Sequence, residues 1–110
     1  MNFDLYNRSL DLLRTLVPLA KRLDGVDPEL AKQMRRSARN VHLNIAEANR
    51  RVGLDRKNRF RWVLAEAAEV TAALDIAVLL EHVGAGEAAE ALAFADRVRA
   101  LAYRLANPKK

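Results

Sequence analysis

The sequence predicts an all-α fold, an antiparallel up-down-up-down four-helix bundle that forms a single domain over residues 1–110. Three observations carry that expectation. Alanine and leucine dominate, aromatic residues make up only 5% of the chain and β-branched ones are few, a usage that favours helix over strand. The four glycines and three prolines fall at a handful of sites, so the intervening segments are long. Within those segments apolar residues return every three or four positions, and helices joined by loops of a few residues must lie antiparallel to their neighbours. A chain of 110 residues, 51% hydrophobic and 30% charged, is one compact core and neither a disordered nor a fibrous protein.

Helix one is expected over about 4–23, with Leu5, Leu12, Leu16, Leu19 and Leu23 as its apolar stripe. Pro18 interrupts it, and a proline that removes one hydrogen bond and crowds the preceding turn predicts a kink or a break there. Helix two starts at Asp27-Pro28-Glu29, an N-cap, a proline at the first helical position and an acid at the positive end of the dipole. Its stripe runs through Leu30, Met34, Ala38, Val41, Ile45, Ala48 and Val52 and stops at Gly53, a residue suited to the position after a helix. Asp55 is the next N-cap, and no breaker follows until Gly84, so helix three is expected over 55–83. Helix four begins after Gly86 with Glu87 and Glu90 in its first turn. It turns Leu92, Ala95, Val98, Leu101, Ala102 and Leu105 inward and ends at Asn107-Pro108, with Lys109 and Lys110 at the negative end of its dipole.

Composition removes several function classes. With no cysteine there is no disulfide framework, thiol nucleophile, zinc finger or iron–sulfur cluster, which suits a reducing cytoplasm. The N-terminal residues Met1 to Tyr6 lack the pattern of a signal peptide, and no apolar run reaches the length of a membrane span. The expectation is a soluble cytoplasmic protein with no membrane partner.

The charge is uneven. The chain carries +5 overall, yet between Lys32 and Arg61 ten basic residues face only two acids, Glu47 and Asp55. The cluster is Lys32, Arg35, Arg36, Arg39, Arg50, Arg51, Arg56, Lys57, Arg59 and Arg61. At about 100° per residue Arg35, Arg39, His42 and Arg50 point away from the Val41/Ile45 stripe, so one end and one flank of the bundle should be positive. Guanidinium groups grip phosphate bidentately, and release of counterions drives such association. Charge alone leaves a second reading open, a solvated helix face.

Helix three is apolar on more than one side, for between Trp62 and Leu80 only Glu66, Glu69, Thr71 and Asp75 are polar. One stripe of Phe60, Leu64, Ala67, Leu74 and Val78 suffices for the core. That leaves Trp62, Val63, Val70, Ala73, Ile76, Ala77 and Leu80 as spare apolar surface, which a second copy of the chain would cover. The other reading is an alanine-rich helix with small exposed patches.

No catalytic set is present in the sequence. His42 and His82 fit neither Glu-x-x-His nor His-x-x-x-His spacing, Ser9 and Ser37 have no evident base, and Gly84-Ala-Gly86 lacks a following Lys-Ser/Thr. His82 suits a helix C-terminus. The row Gln33, Arg36, Asn40, Asn44 and Glu47 on one flank of helix two reads as an interhelical polar network that sets register rather than a catalytic site. No metal or cofactor is expected.

The stretch from Gln33-Met-Arg-Arg-Ser37 through Asn44-Ile-Ala-Glu47 resembles the signature of the bacterial four-helix-bundle proteins that include those encoded in intervening sequences of 23S ribosomal RNA genes. Asp55-Arg56, Phe60, Glu69 and Ala72-Ala-Leu-Asp75 are similar to that family's following helix. The chain departs from the pattern at His42, Ala48 and Ala65-Glu66. Leu16-Val-Pro18-Leu-Ala and Glu47-Ala-Asn-Arg-Arg51 also resemble the accessory variability determinant of diversity-generating retroelements. These resemblances imply the four-helix fold and a ring-like oligomer; the second adds a pentameric barrel whose basic surface binds nucleic acid and a reverse transcriptase.

The expectation is a non-enzymatic, homo-oligomeric bundle, ring-like as the resemblance implies. It binds nucleic acid, RNA more than DNA, through Lys32, Arg35, Arg36, Arg39, Arg50, Arg51, Arg56, Lys57 and Arg59, and self-associates through Trp62, Val63, Val70, Ala73, Ile76 and Leu80. The competing reading is an adaptor or scaffold that docks a protein partner on helix three.

Overall fold

The computed structural model describes residues 3–108, so Lys109 and Lys110 lie outside it. Four helices follow in order: α1 Phe3–Asp24, α2 Pro28–Ala48, α3 Gly53–Leu79 and α4 Ala85–Ala106. Each packs against two others, α1 on α2 and α4, and α3 on α2 and α4. The result is a square antiparallel bundle measuring 45 × 21 × 18 Å.

In α1 the buried residues Leu5, Ser9, Leu12, Leu16, Leu19 and Leu23 alternate four- and three-residue steps, the spacing that keeps a seam turned toward neighbouring helices. The helix passes unbroken through Pro18. That proline is exposed, so the hydrogen bond it forgoes is on the solvent side, where water satisfies the carbonyl. α2 is capped as its sequence predicts, with Asp27 Oδ1 accepting from the Leu30 amide at 3.2 Å and Pro28 in the first turn.

The other boundaries differ from the expectation. α2 ends at Ala48, four residues early, where the Arg50 and Arg51 amides donate to the carbonyls of Glu47 and Ala48 in a tightened last turn. Gly53 does have the left-handed backbone expected of it, φ +62°, but it opens α3 instead of closing α2. Val52, extended, precedes it as the cap, and Asp55 lies inside the first turn. α3 ends at Leu79 because Glu81 takes φ +61° and folds the chain back. The Glu81 amide reaches the Val78 carbonyl at 3.0 Å and the His82 amide that of Ala77 at 2.9 Å, a Schellman closure with Glu where glycine is usual. Val83 is thereby returned to the core. α4 starts at Ala85, two residues ahead of the expected site, and the Glu87 carboxylate accepts from the Gly84 amide at 2.9 Å.

The side chains that fill the centre are led by Phe60, Leu5, Leu12, Leu23, Met34 and Ile45. α4 meets them with Ala88, Ala91, Ala95, Val98, Ala102 and Ala106. Its expected inward leucines, Leu92, Leu101 and Leu105, pack at the margins instead. The small seam lets α4 approach the bulky residues of α1 and α3, and native packing density requires such small-against-large pairing.

One polar contact ties α1 to α2. Ser9, fully buried, donates to the Tyr6 carbonyl at 2.7 Å and lies 2.7 Å from His42 Nδ1. A hydroxyl has one proton, so Nδ1 carries its own and donates to Ser9 Oγ. The His42 ring leans on that of Tyr6, centroids 4.5 Å apart. His42 is therefore half-buried in the α1–α2 seam and is no part of the exposed basic flank.

Phe60→Ala is expected to cost about 3–5 kcal/mol, measured as a shift of the urea unfolding curve. Burial holds the His42 imidazole below its ordinary pKa, so as pH falls through the ordinary imidazole range the unfolded chain binds more protons at this site than the folded one. Stability is present above the unfolded value and is lost as pH falls through the folded value. The midpoint of thermal unfolding should fall more steeply over that range in wild type than in His42→Gln, since every other titrating group is common to both; parallel slopes would contradict the assignment.

Candidate functional site

The cations of α2 separate by direction. Lys32 and Arg39, seven residues apart and so almost in line on a helix, are both exposed and form no ion pair among the described residues. Arg35 turns toward α1 and grips Asp24 with two bonds of 2.7 and 2.6 Å. That hydrogen bonding holds the Asp24 carboxyl below and the Arg35 guanidinium above their usual ranges. Arg36 turns the other way, toward Glu66 of α3.

The remaining cations gather where α2 passes into α3, and several have structural duties. Arg51 bridges the two helices, 3.1 Å from Glu47 and 3.2 Å from Asp55. Its guanidinium is raised above its ordinary pKa first by the bond to Glu47 and then by the charge of Asp55. Arg56 donates to the Ala48 carbonyl at 3.0 Å and lies 4.9 Å over the Phe60 ring, which closes the end of α2. The Arg59 guanidinium stacks over Trp62 at 4.7 Å, and Arg61 donates to Asn58 at 2.8 Å. Arg50 and Lys57 are exposed and unpaired among the described residues. The sequence cluster is thus two surfaces, a flank shared with α1 and a basic end at the α2–α3 turn.

The expected polar network is only partly assembled. Ser37, buried, donates to Glu69 Oε2 at 2.8 Å, and Asn40, Ser37 and Arg36 all act on Glu66. Burial, then the charge of Glu69, pushes the Glu66 carboxyl upward against them, and its Oε2 is enclosed with no hydrogen-bond partner. Gln33 lines the adjacent groove with Arg36 and Ile76. Asn44 is half-buried, and Glu47 is drawn to Arg51. The sequence reading passed over Ser37 and Glu69 as partners because nothing within one helix announces a cross-helix pair.

The outer face of α3 needs the largest correction. Val63, Val70 and Ala73, expected at a subunit contact, are buried within their own chain. α3 touches both α2 and α4, so it buries a broader face than the single stripe assigned to it. Trp62, Ile76 and Leu80 do remain exposed, at 52%, 44% and 51%, and Leu79, which the sequence reading missed, is exposed at 80%. Trp62, Ala65, Glu69, Ala72, Ile76 and Leu79 follow alternating three- and four-residue steps, a seam of the kind that meets another helix.

Among the described residues no group of His, Asp and Glu is placed to hold a metal ion, and no helix is long and apolar enough to cross a membrane.

The sequence profile described as 23S rRNA-intervening sequence protein matches residues 1–104. No curated protein matches the sequence. Among solved structures, a protein of unknown function from the S23 ribosomal protein family of Bacteroides thetaiotaomicron superposes with a TM-score of 0.86 at 23% identity. The match covers 94% of this chain and 98% of that one, so the two share the four-helix fold over almost their full lengths. The extent of the profile match decides the affiliation: this chain belongs to the 23S rRNA-intervening sequence protein family.

Proposed function

We propose that the protein is a non-enzymatic, self-associating bundle of the cytoplasm that binds RNA at the basic end formed by the α2–α3 turn. The observation that carries this reading is that Arg50 and Lys57 stand exposed there with no carboxylate partner among the described residues, beside Arg59 and Arg61. The exposed Lys32 and Arg39 extend the positive surface along α2. Unneutralised guanidinium and ammonium groups are the ones that displace counterions from a phosphate backbone. Arg35, Arg51 and Arg56 are committed to Asp24, to Glu47 and Asp55, and to the Ala48 carbonyl, so they support the surface more than they contact a ligand. Of the six aromatic side chains Phe60 is buried, Tyr6 and Phe94 are partly covered, and Phe3, Trp62 and Tyr103 are exposed. Phosphate contacts and stacking on such rings both tolerate any base, so binding should be salt-sensitive with weak sequence preference. The absence of a cofactor requirement belongs to the same proposal.

Self-association, into a ring as the family resemblance implies, is supported by the exposed seam of α3. That seam also favours a second reading, an adaptor whose protein partner docks on α3 while the cations are merely solvated.

The charge-reversed variant Arg50→Glu/Lys57→Glu/Arg59→Glu should lose retention of a labelled structured RNA at least tenfold with an unchanged circular dichroism spectrum. In wild type the logarithm of affinity should fall linearly with the logarithm of salt concentration, by about 0.7 per single-strand phosphate neutralised, and the slope should shrink in single Arg50→Gln or Lys57→Gln variants. Equal RNA retention by wild type and the triple variant would favour the adaptor.

A further inference from the structure

The groove between α1 and α2 and the far end of α3 both present apolar surface and are opposite in charge. Leu16, Ala20 and Ala38 floor a groove of about 330 Å³, and Leu13, Val17 and Lys21 edge it on α1. Lys32, Arg35 and Arg39 form the α2 edge. The floor is aliphatic and the rim cationic, with Asp24, among the described residues, the one acid bonded to that rim. Opposite in character is the C-terminal half of α3. From Val63 to Val83 the chain carries four acids, Glu66, Glu69, Asp75 and Glu81, and no lysine or arginine. Its tip projects Ile76, Leu79 and Leu80 into solvent.

We propose that copies of this chain join head to tail, with the Asp75–Leu80 ridge of one copy seated in the α1–α2 groove of the next. The inference rests on the self-association proposed above and adds which two surfaces meet. An alternative pairing of ridge with ridge, α3 tip against the α3 tip of a second copy, would bring both acidic stretches together, which like-charge repulsion disfavours. Seating the ridge in the groove sets Asp75 and Glu81 against Lys21, Lys32 and Arg39 and places apolar tips on an apolar floor. The groove lies on the α1 side of α2 and the ridge on α3, which packs along the other side of α2, and the two share no residue, so a copy engaged at its ridge keeps its groove open. Such a heterologous contact closes into a ring or continues as a filament. It also separates the roles of the cations: the flank holds the neighbouring copy, and the α2–α3 turn stays free for RNA.

The chain has no cysteine, so Val17→Cys puts a single thiol in the groove and Leu80→Cys puts one on the ridge, both at exposed positions. Treated with a short bismaleimide, the double variant should give a covalent ladder of two, three and more chains, while each single variant stays mostly one chain. Cross-linking of Leu80→Cys to itself as efficiently as the double variant means that α3 faces α3, and overturns the proposal. A double variant that light scattering finds in the wild-type oligomer but that gives no ladder overturns it too and leaves self-association standing. Wild type found monomeric, with no ladder, defeats both.

Discussion

A helix at the corner of a square bundle can bury only about half of its circumference, and the rest of this structure follows from how each helix meets that limit. α1 and α2 obey it with one apolar face and one charged face. α4 obeys it by lining its inner face with alanine, which draws it close to Phe60 and the leucines of α1 and moves its own leucines to the margins. α3 does not obey it. Phe60, Val63, Ala67, Val70, Leu74 and Ala77 fill its inner face completely, yet Trp62, Ile76, Leu79 and Leu80 remain on the outer one. An apolar face that the fold cannot cover is the feature on which the proposed assembly depends.

The arginine cluster shows how helical geometry divides what sequence groups together. Arg35 and Arg36 are adjacent in the chain but a helix turns about 100° per residue, so one grips Asp24 beside α1 while the charge of the other acts on Glu66 of α3. Nearer the turn, Arg51 and Arg56 act as braces between α2 and α3. Cations so engaged have exchanged solvation for a fixed carboxylate or carbonyl. Exposed pairs of this kind add little stability because water screens them, but they fix where the neighbouring unpaired cations stand. Those neighbours, Lys32, Arg39, Arg50 and Lys57, stand exposed along α2 and at the α2–α3 turn.

A pair of polar contacts holds register within the bundle. Ser9 and His42 join α1 to α2, and Ser37 and Glu69 join α2 to α3. In each the serine hydroxyl is buried, where an unmatched polar group is costly. A slip of either helix pair by one turn would strand a buried hydroxyl. Apolar seams built mostly from leucine and alanine do not distinguish registers so sharply.

The number of helices, their order and the capping of α2 by Asp27 and Pro28 were legible in the sequence because they depend on local chemistry: periodicity, propensity and the backbone preferences of proline and aspartate. Boundaries were less so. Gly53 announced a left-handed residue without saying which helix it served, and Glu81 took the same conformation unannounced because the return of Val83 to the core, a tertiary contact, stabilises it. The positive surface was visible as composition, whereas its division into a flank and an end required knowing which helix lies on each side of α2. The same holds for α3. An amphipathic helix declares its buried face, but a helix apolar all round does not, and only packing against both α2 and α4 decided that Val63, Val70 and Ala73 belong inside while Leu79 belongs outside. The sequence by itself therefore determined the all-helical bundle and the surplus of positive charge and apolar surface; the tertiary structure alone decided where each surplus is exposed, because exposure is a property of neighbours and not of residues.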